Sequence, residues 1–325
     1  MDDTRFYERI DKIEDIGILS ELVCKEYNIG NYEDTKLVEI GYEDFNAIIT
    51  TSSGKYFMKV YNNSRTDEEV KDVIERAYVA EQNGVKAPKV YKNSHGEIVA
   101  RINYKNSCFR LSLMEYIDGK NFYELGKEAT DEELLKITDL ASEFGNIDYK
   151  PTFIYDSWAI SNFITEYEKK KNIISPEYLK YIEPIYDEFK SFDYQSLPKS
   201  FTHGDIILTN VIKDSNDEFW VVDYSVSNYT VRLNEIAVAS NDFGIIDGNK
   251  QESEKRIKLM FERWAKNVNA TEAERKAFQL LFKVENAIYI LNPSYEMAKG
   301  NDSKENRMYL EMGKFGLTLD IDINS

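Results

Sequence analysis

The apolar residues of this chain turn from mainly strand-like to mainly helical spacing near Asp118-Gly119, and that change divides it into two unlike parts. Before it, runs rich in β-branched and aromatic residues alternate with short polar turns. Lys36–Ile40, Phe45–Thr51 and Tyr56–Tyr61 are joined by Gly41-Tyr42-Glu43-Asp44 and by Ser52-Ser53-Gly54-Lys55. This pattern predicts an antiparallel meander. A helix is expected from Thr66 to Asn83, where Thr66 and Glu69 form a capping box and Val70, Val73, Ile74, Ala77 and Tyr78 form the apolar stripe. Glu97–Tyr104 and Phe109–Tyr116 read as two further strands, and residues 1–30 as a helix followed by a loop. Beyond Gly119 the period becomes helical. A second capping box, Thr130 to Glu133, precedes Leu134, Leu135, Ile137, Leu140, Ala141 and Phe144. Helices are expected near 156–171, near 176–191 and through the last part of the chain, with short strand-like runs at 200–202 and 211–222. The expected class is α+β. A small lobe over 1–116 carries a five-stranded antiparallel sheet with one helix after the third strand, and a larger, mostly helical lobe covers 117–325.

Composition narrows the function classes. With 42% hydrophobic and 13% aromatic residues among 325, the chain can bury a substantial core. A formal charge of −17 repels phosphate backbones, so no nucleic-acid partner is expected. Cys24 and Cys108 have neither disulfide-framework nor zinc-site spacing. The start Met1-Asp2-Asp3-Thr4-Arg5 lacks the form of a signal peptide, and no run of about 18 apolar residues suggests a membrane span. A soluble, cytoplasmic protein without a membrane partner is the expectation.

The residues that carry chemistry centre on His203-Gly204-Asp205-Ile206-Ile207-Leu208-Thr209-Asn210. Phosphoryl transfer asks a protein mainly for positioning and charge neutralisation. Asp205 is the candidate base for an acceptor hydroxyl, and the Asn210 amide oxygen a candidate Mg²⁺ ligand. The run Val211-Ile212-Lys213, a polar turn and Phe219-Trp220-Val221-Val222-Asp223 reads as a hairpin, making Asp223 the second metal ligand. Lys59, at the end of an apolar strand, is a candidate for the phosphates of ATP or GTP. Glu75 is its preferred partner, with Glu68 and Glu69 as competitors. The turn at Gly41 is a candidate phosphate cover through its backbone N–H groups. Phe153, Tyr155 and Trp158 are candidates for lining an acceptor pocket.

Together these residues resemble the aminoglycoside phosphotransferase, choline kinase and homoserine kinase superfamily, which has the bilobal protein-kinase-like fold. The similarity runs from about Lys36 to the C-terminal helices. Its most specific parts are His203–Asn210 and Val222-Asp223-Tyr224, and Leu113-Met114-Glu115-Tyr116-Ile117-Asp118-Gly119 is similar to the interlobe linker. The resemblance implies a small-molecule kinase that phosphorylates a hydroxyl. Asp205 would be catalytic, Asn210 and Asp223 would hold Mg²⁺, Lys59 would meet the phosphates, and main-chain groups of Glu115 and Ile117 would bind the base. His203 would brace the catalytic loop. Two departures stand out. Phe144-Gly145 replaces a common Leu-His pair, and Asn234-Glu235-Ile236-Ala237 replaces a Tyr-Asp-Leu-Ala run. Glu235 is therefore expected to brace the loop, with Arg232 as candidate companion. A homoserine- or choline-type kinase and a non-catalytic nucleotide-binding relative are the alternatives.

Overall fold

The computed structural model describes residues 9–10, 13, 15–38, 44–321 and 323. They divide into two compact units, Met1–Gly119 with Val222–Ser225, and Lys120–Val221 with Val226–Ser325. The sequence reading put Asp223 with the helical part, whereas its contacts group it with the first unit.

In the first unit, helix α1 (Ile16–Tyr27) is followed by strands β1 (Tyr32–Val38), β2 (Phe45–Thr51) and β3 (Gly54–Val60). Helix α2 (Asp67–Gln82) comes next, then β4 (Val90–Tyr91), β5 (Ala100–Tyr104) and β6 (Ser107–Glu115). The sheet has six strands in the order β1-β2-β3-β6-β4, with β5 also paired to β6. The expected five become six because Val90 and Tyr91 pair with Met114 and Leu113, a ladder too short to leave a period in the sequence. Strand alternation buries Phe45, Ala47, Ile49, Met58 and Val60 against Leu19 and Val23 of α1. The Thr66 capping box forms as expected, Glu69 N donating to Thr66 Oγ1 and Thr66 N to Glu69 Oε2. A cap of this kind stabilises a helix by about 1 kcal/mol.

In the second unit, β7 (Gly119–Asn121) leads into the short α3 (Phe122–Leu125) and α4 (Asp131–Glu143). Then come α5 (Phe163–Lys170), α6 (Pro176–Ser191), β8 (Lys199–Thr202), β9 (Val211–Asp214), β10 (Phe219–Val221) and β11 (Asn228–Val231). Helices α7 (Leu233–Gly244), α8 (Lys250–Asn267), α9 (Glu272–Ala298) and α10 (Lys304–Gly316) complete it. Helix α9 packs against α6, α7 and α10, and its faces bury Phe278, Leu281, Phe282 and Ile288. Such burial contributes roughly 1.5–3 kcal/mol for a large apolar side chain. The expected helix at 156–171 is shorter, because residues 156–159 form an irregular turn before a 3₁₀ turn and α5. Helix α10 comes unusually close to α9. A Cβ on Gly313 would lie 2.5 Å from the Asn286 carbonyl oxygen, and one on Gly316 would overlap the Asn286 side chain. Among the described residues, no helix is long and apolar enough to cross a membrane.

Candidate active site

Strand β8, paired with β11 so that Thr202 faces Asn228, delivers the chain into the loop at His203. Gly204 follows at φ +84°, a left-handed conformation that suits glycine. Glu235, in the first turn of α7, accepts the backbone N–H groups of both His203 (2.6 Å) and Gly204 (3.1 Å). Burial pushes the Glu235 carboxyl up to about 8, against the lowering effect of those two donors. His203 is fully buried, with Phe144 packed edge-on against its ring at 5.9 Å. Its Nδ1 accepts the Asp205 N–H at 3.2 Å, so the ring proton belongs on Nε2. Ser227 Oγ donates to the His203 carbonyl at 3.0 Å. Farther along, Leu208 N–H donates to Asp242, which burial pushes up to about 6. Asn210 closes the loop, its Nδ2 donating to Asp205 Oδ2 (2.7 Å) and to the Asp205 carbonyl (3.0 Å). Every second residue or so is thus tied to a buried group, which is how a loop holds one carboxylate in one orientation.

The expected brace is therefore present, but without the expected companion. Arg232 instead forms a buried ion pair with Glu274 (Nε–Oε1 2.7 Å) and donates to the Gly145 carbonyl at 3.1 Å. This also accounts for the Phe144-Gly145 departure. Phe144 packs on His203 and Gly145 supplies an acceptor for Arg232, where an added Cβ would meet Val268 Cγ1 at 2.6 Å.

Asp205 lines a cavity of about 220 Å³ whose wall includes Asp156, Trp158, Val238, Glu285, Tyr289 and Tyr309. Burial raises Asp156 above the usual carboxylate range, and burial with Asp156, Asp205 and Asp242 nearby raises Glu285 well above it. Of the three expected pocket aromatics, only Trp158 lines the cavity. Phe153 is 63% exposed, and the Tyr155 hydroxyl is tied to Glu166 and Lys169 on the surface. Sequence reading missed Asp156, Asp242, Glu285, Tyr289 and Tyr309. A signal for Glu285 existed, because it falls three and four residues after Phe282 and Leu281, on the stripe that should be apolar.

In the first unit, Lys59 does not take the expected partner. Its Nζ is 3.7 Å from Asp44 Oδ2, and Asp44, 3% exposed, also accepts from Arg65 Nε at 3.1 Å and from Asn62 N–H at 3.0 Å. The physical reason is register. Asn46 lies opposite Lys59 across β2 and β3, which brings the start of β2 to the lysine. Glu75 is half-buried on α2, and among the described residues it forms no ion pair. Neither do the competitors Glu68 and Glu69, the latter being used in the α2 cap. Glu115 N–H is taken by the Lys89 carbonyl at 2.9 Å, and its Oε2 accepts Lys89 N–H at 3.3 Å. Ile117 is buried, and its carbonyl accepts Gly119 N–H. Asp223 is exposed and takes φ +67°, an uncommon conformation for a residue with a Cβ. Gly41 lies outside the described residues.

Hard oxygen donors suit Mg²⁺, which keeps several waters and takes only one or two protein oxygens. Asn210 fits that need. Its Nδ2 is committed to Asp205, and its amide oxygen, a hard neutral donor, accepts from Thr209 Oγ1 at 3.3 Å on the other side of the amide. Among the described residues, no group of three or more His, Cys, Asp or Glu is placed to hold a metal ion.

The model of the phosphotransferase enzyme family matches residues 34–257. Homoserine kinase of Methylobacillus flagellatus is 21% identical over 226 residues, 67% of this chain and 66% of that one, just under two thirds of its length. Homoserine kinase of Zymomonas mobilis is 22% identical over 78% of each chain. Among solved structures, that of amicoumacin kinase in complex with AMP-PNP, Ca²⁺ and Ami has the same fold, with a TM-score of 0.67 and 12% identity over 98% of both chains.

Proposed function

This chain belongs to the phosphotransferase enzyme family, and from that premise we propose that it transfers the γ-phosphate of ATP or GTP to a hydroxyl of a small molecule. The observation that carries this reading is the Asp205 carboxylate, held by Asn210 and by a loop anchored on Glu235 and Asp242, on the wall of a cavity of small-molecule size.

In this reading the acceptor hydroxyl donates its proton to Asp205 as its oxygen bonds to the γ-phosphorus. The bond from that phosphorus to the β–γ bridging oxygen breaks, and the nucleoside diphosphate leaves. His203 holds the Asp205 backbone through Nδ1 and takes no part in proton transfer. Asn210 and Asp223 are the proposed Mg²⁺ ligands. Support comes from the β9–β10 register, in which Val221 lies opposite Val211, the neighbour of Asn210. The bound cation would neutralise charge on the phosphates. Lys59 is proposed to meet the phosphates as a point charge, oriented by Asp44 rather than Glu75. Main-chain groups of Glu115 and Ile117 are proposed to bind the base. Free Cys24 and Cys108 agree with a reducing, cytoplasmic setting.

The names of the two bacterial relatives put homoserine among the acceptors to try. A panel of amino alcohols, homoserine, choline, sugars and aminoglycosides, each with Mg²⁺ and ATP or GTP, tests the reading. Phosphorylation of one acceptor class is expected. Tight nucleotide binding with no transfer to any of them would instead indicate a relative without turnover. Asp223→Ala should remove the Mg²⁺ dependence of nucleotide binding, and binding that keeps its full Mg²⁺ dependence would reassign the metal.

A further inference from the structure

The cavity beside Asp205 is acidic and aromatic, and none of its ten lining residues is a cation. Three rings meet on its wall, with centroids 5.9 Å apart for Trp158 and Tyr289, 5.4 Å for Trp158 and Tyr309, and 5.1 Å for Tyr289 and Tyr309. Glu285 lies one helical turn before Tyr289 on α9. It is 3% exposed, lines the cavity, and its Oε2 has no hydrogen-bond partner among the described residues. A buried carboxylate oxygen without a donor is strongly unfavourable, and such a group in a native fold calls for a specific reason.

The surrounding charges do not supply that reason. Asp156, Asp205 and Asp242 all act on Glu285 with the same sign. Lys170, the cation that acts on Asp156, is already paired with Glu166 at 2.7 Å and donates to Asn292 Oδ1 at 2.5 Å. The turn carrying Asp156 is held in place independently. Asp156 Oδ1 accepts the Trp158 N–H at 2.9 Å, and Asn292 Nδ2 donates to the Ser157 carbonyl at 3.1 Å.

Resting on the kinase reading above, we propose that the acceptor is a short-chain alcohol bearing a protonated primary or secondary amine and no carboxylate. Its N–H groups would be held by Glu285 and Asp156, with its carbon chain against Trp158, Tyr289 and Tyr309. Each part of this description follows from one feature of the cavity. Glu285 Oε2 needs a hydrogen-bond donor, which a trimethylammonium group does not have. A substrate carboxylate would enter beside like charges with no cation to meet it. About 220 Å³ takes a few heavy atoms, below the roughly 300–1,000 Å³ of pockets that hold drug-sized ligands. The rings add favourable faces for an ammonium group.

Isothermal titration of the nucleotide-free full chain with 3-aminopropan-1-ol, propane-1,3-diol, homoserine and choline tests the subsite apart from catalysis. The amino alcohol should bind at least tenfold more tightly than the other three. Glu285→Gln, which keeps the shape but cannot offer a carboxylate to an ammonium group, should lose that binding tenfold or more. Asp156→Asn should lose it in the same direction. Homoserine or choline binding as tightly as the amino alcohol would overturn the proposal, as would amino alcohol binding that is absent from the wild type or unchanged in Glu285→Gln. Amine binding that depends on Glu285 without phosphate transfer from ATP would leave the subsite standing and remove the kinase reading.

Discussion

At the scale of single residues, the site depends on carboxylates with unlike surroundings. Asp205 lines a cavity, while Glu235 is closed in behind it with two backbone donors. Because burial lifts the folded-state value of Glu235 to about 8 from an ordinary 4.5, the folded protein binds more protons than the unfolded chain between those two values. Stability must therefore fall as pH rises through that window, by at most about 1.4 kcal/mol per pH unit from this one group. Glu235→Gln should flatten the decline between about pH 4.5 and 8 in urea unfolding, and an unchanged slope would mean that Glu235 is not its source. The residue scale is also where the sequence was most and least legible. The grouping of His203, Asp205 and Asn210 was readable because the three lie on one short loop. Asp44 was not, because its link to Lys59 comes from strand register. Glu285 and Tyr309 come from two successive helices, and only the packing of those helices brings them to one cavity.

At the scale of elements, the capping boxes at Thr66, Thr130 and Thr271 all form. The first two were legible because a cap is a local interaction that the sequence states directly. The two-residue β4 and the shortened α5 were not, since neither carries a period long enough to read. The close approach of α10 to α9 is another tertiary fact. It depends on Gly313, whose missing Cβ leaves room for the Asn286 carbonyl and for Tyr289 Cβ at 3.0 Å. Gly313→Ala should push α10 outward and carry Tyr309 off the cavity wall. The expected outcome is a loss of about 1–3 kcal/mol by thermal or urea unfolding, with a higher KM for the acceptor. A loss of stability with an unchanged acceptor KM would show that Tyr309 has no part in acceptor binding.

At the scale of the whole molecule, the turn from mainly strand-like to mainly helical spacing near Gly119 was legible, whereas the grouping of Val222–Ser225 with the first unit was not. Opposed titrations also act at this scale. Glu133 and Glu166 are both lowered to about 2. In each case burial works against the shift, and ion pairs and hydrogen bonds outweigh it, with Thr130, Lys213 and Lys127 at Glu133 and Lys169, Lys170 and Tyr155 at Glu166. Their contribution is present above about pH 4.5 and is lost as pH falls toward 2. Glu235 and Asp242 act in the other direction, losing stability as pH rises through about 8 and about 6. Stability should therefore peak on the acid side of neutrality, near pH 4.5, in a series of urea titrations. A maximum above pH 8 would contradict these assignments.

The central claim is that Asp205 takes the proton of an acceptor hydroxyl during phosphate transfer from a nucleotide. Its most direct test is transfer of labelled γ-phosphate from ATP to the acceptor found by screening, comparing wild type with Asp205→Asn. Loss of a positioned base predicts a fall in kcat of roughly 10²–10⁴-fold, with Mg²⁺-nucleotide affinity retained. A variant that transfers phosphate at the wild-type rate would contradict the claim.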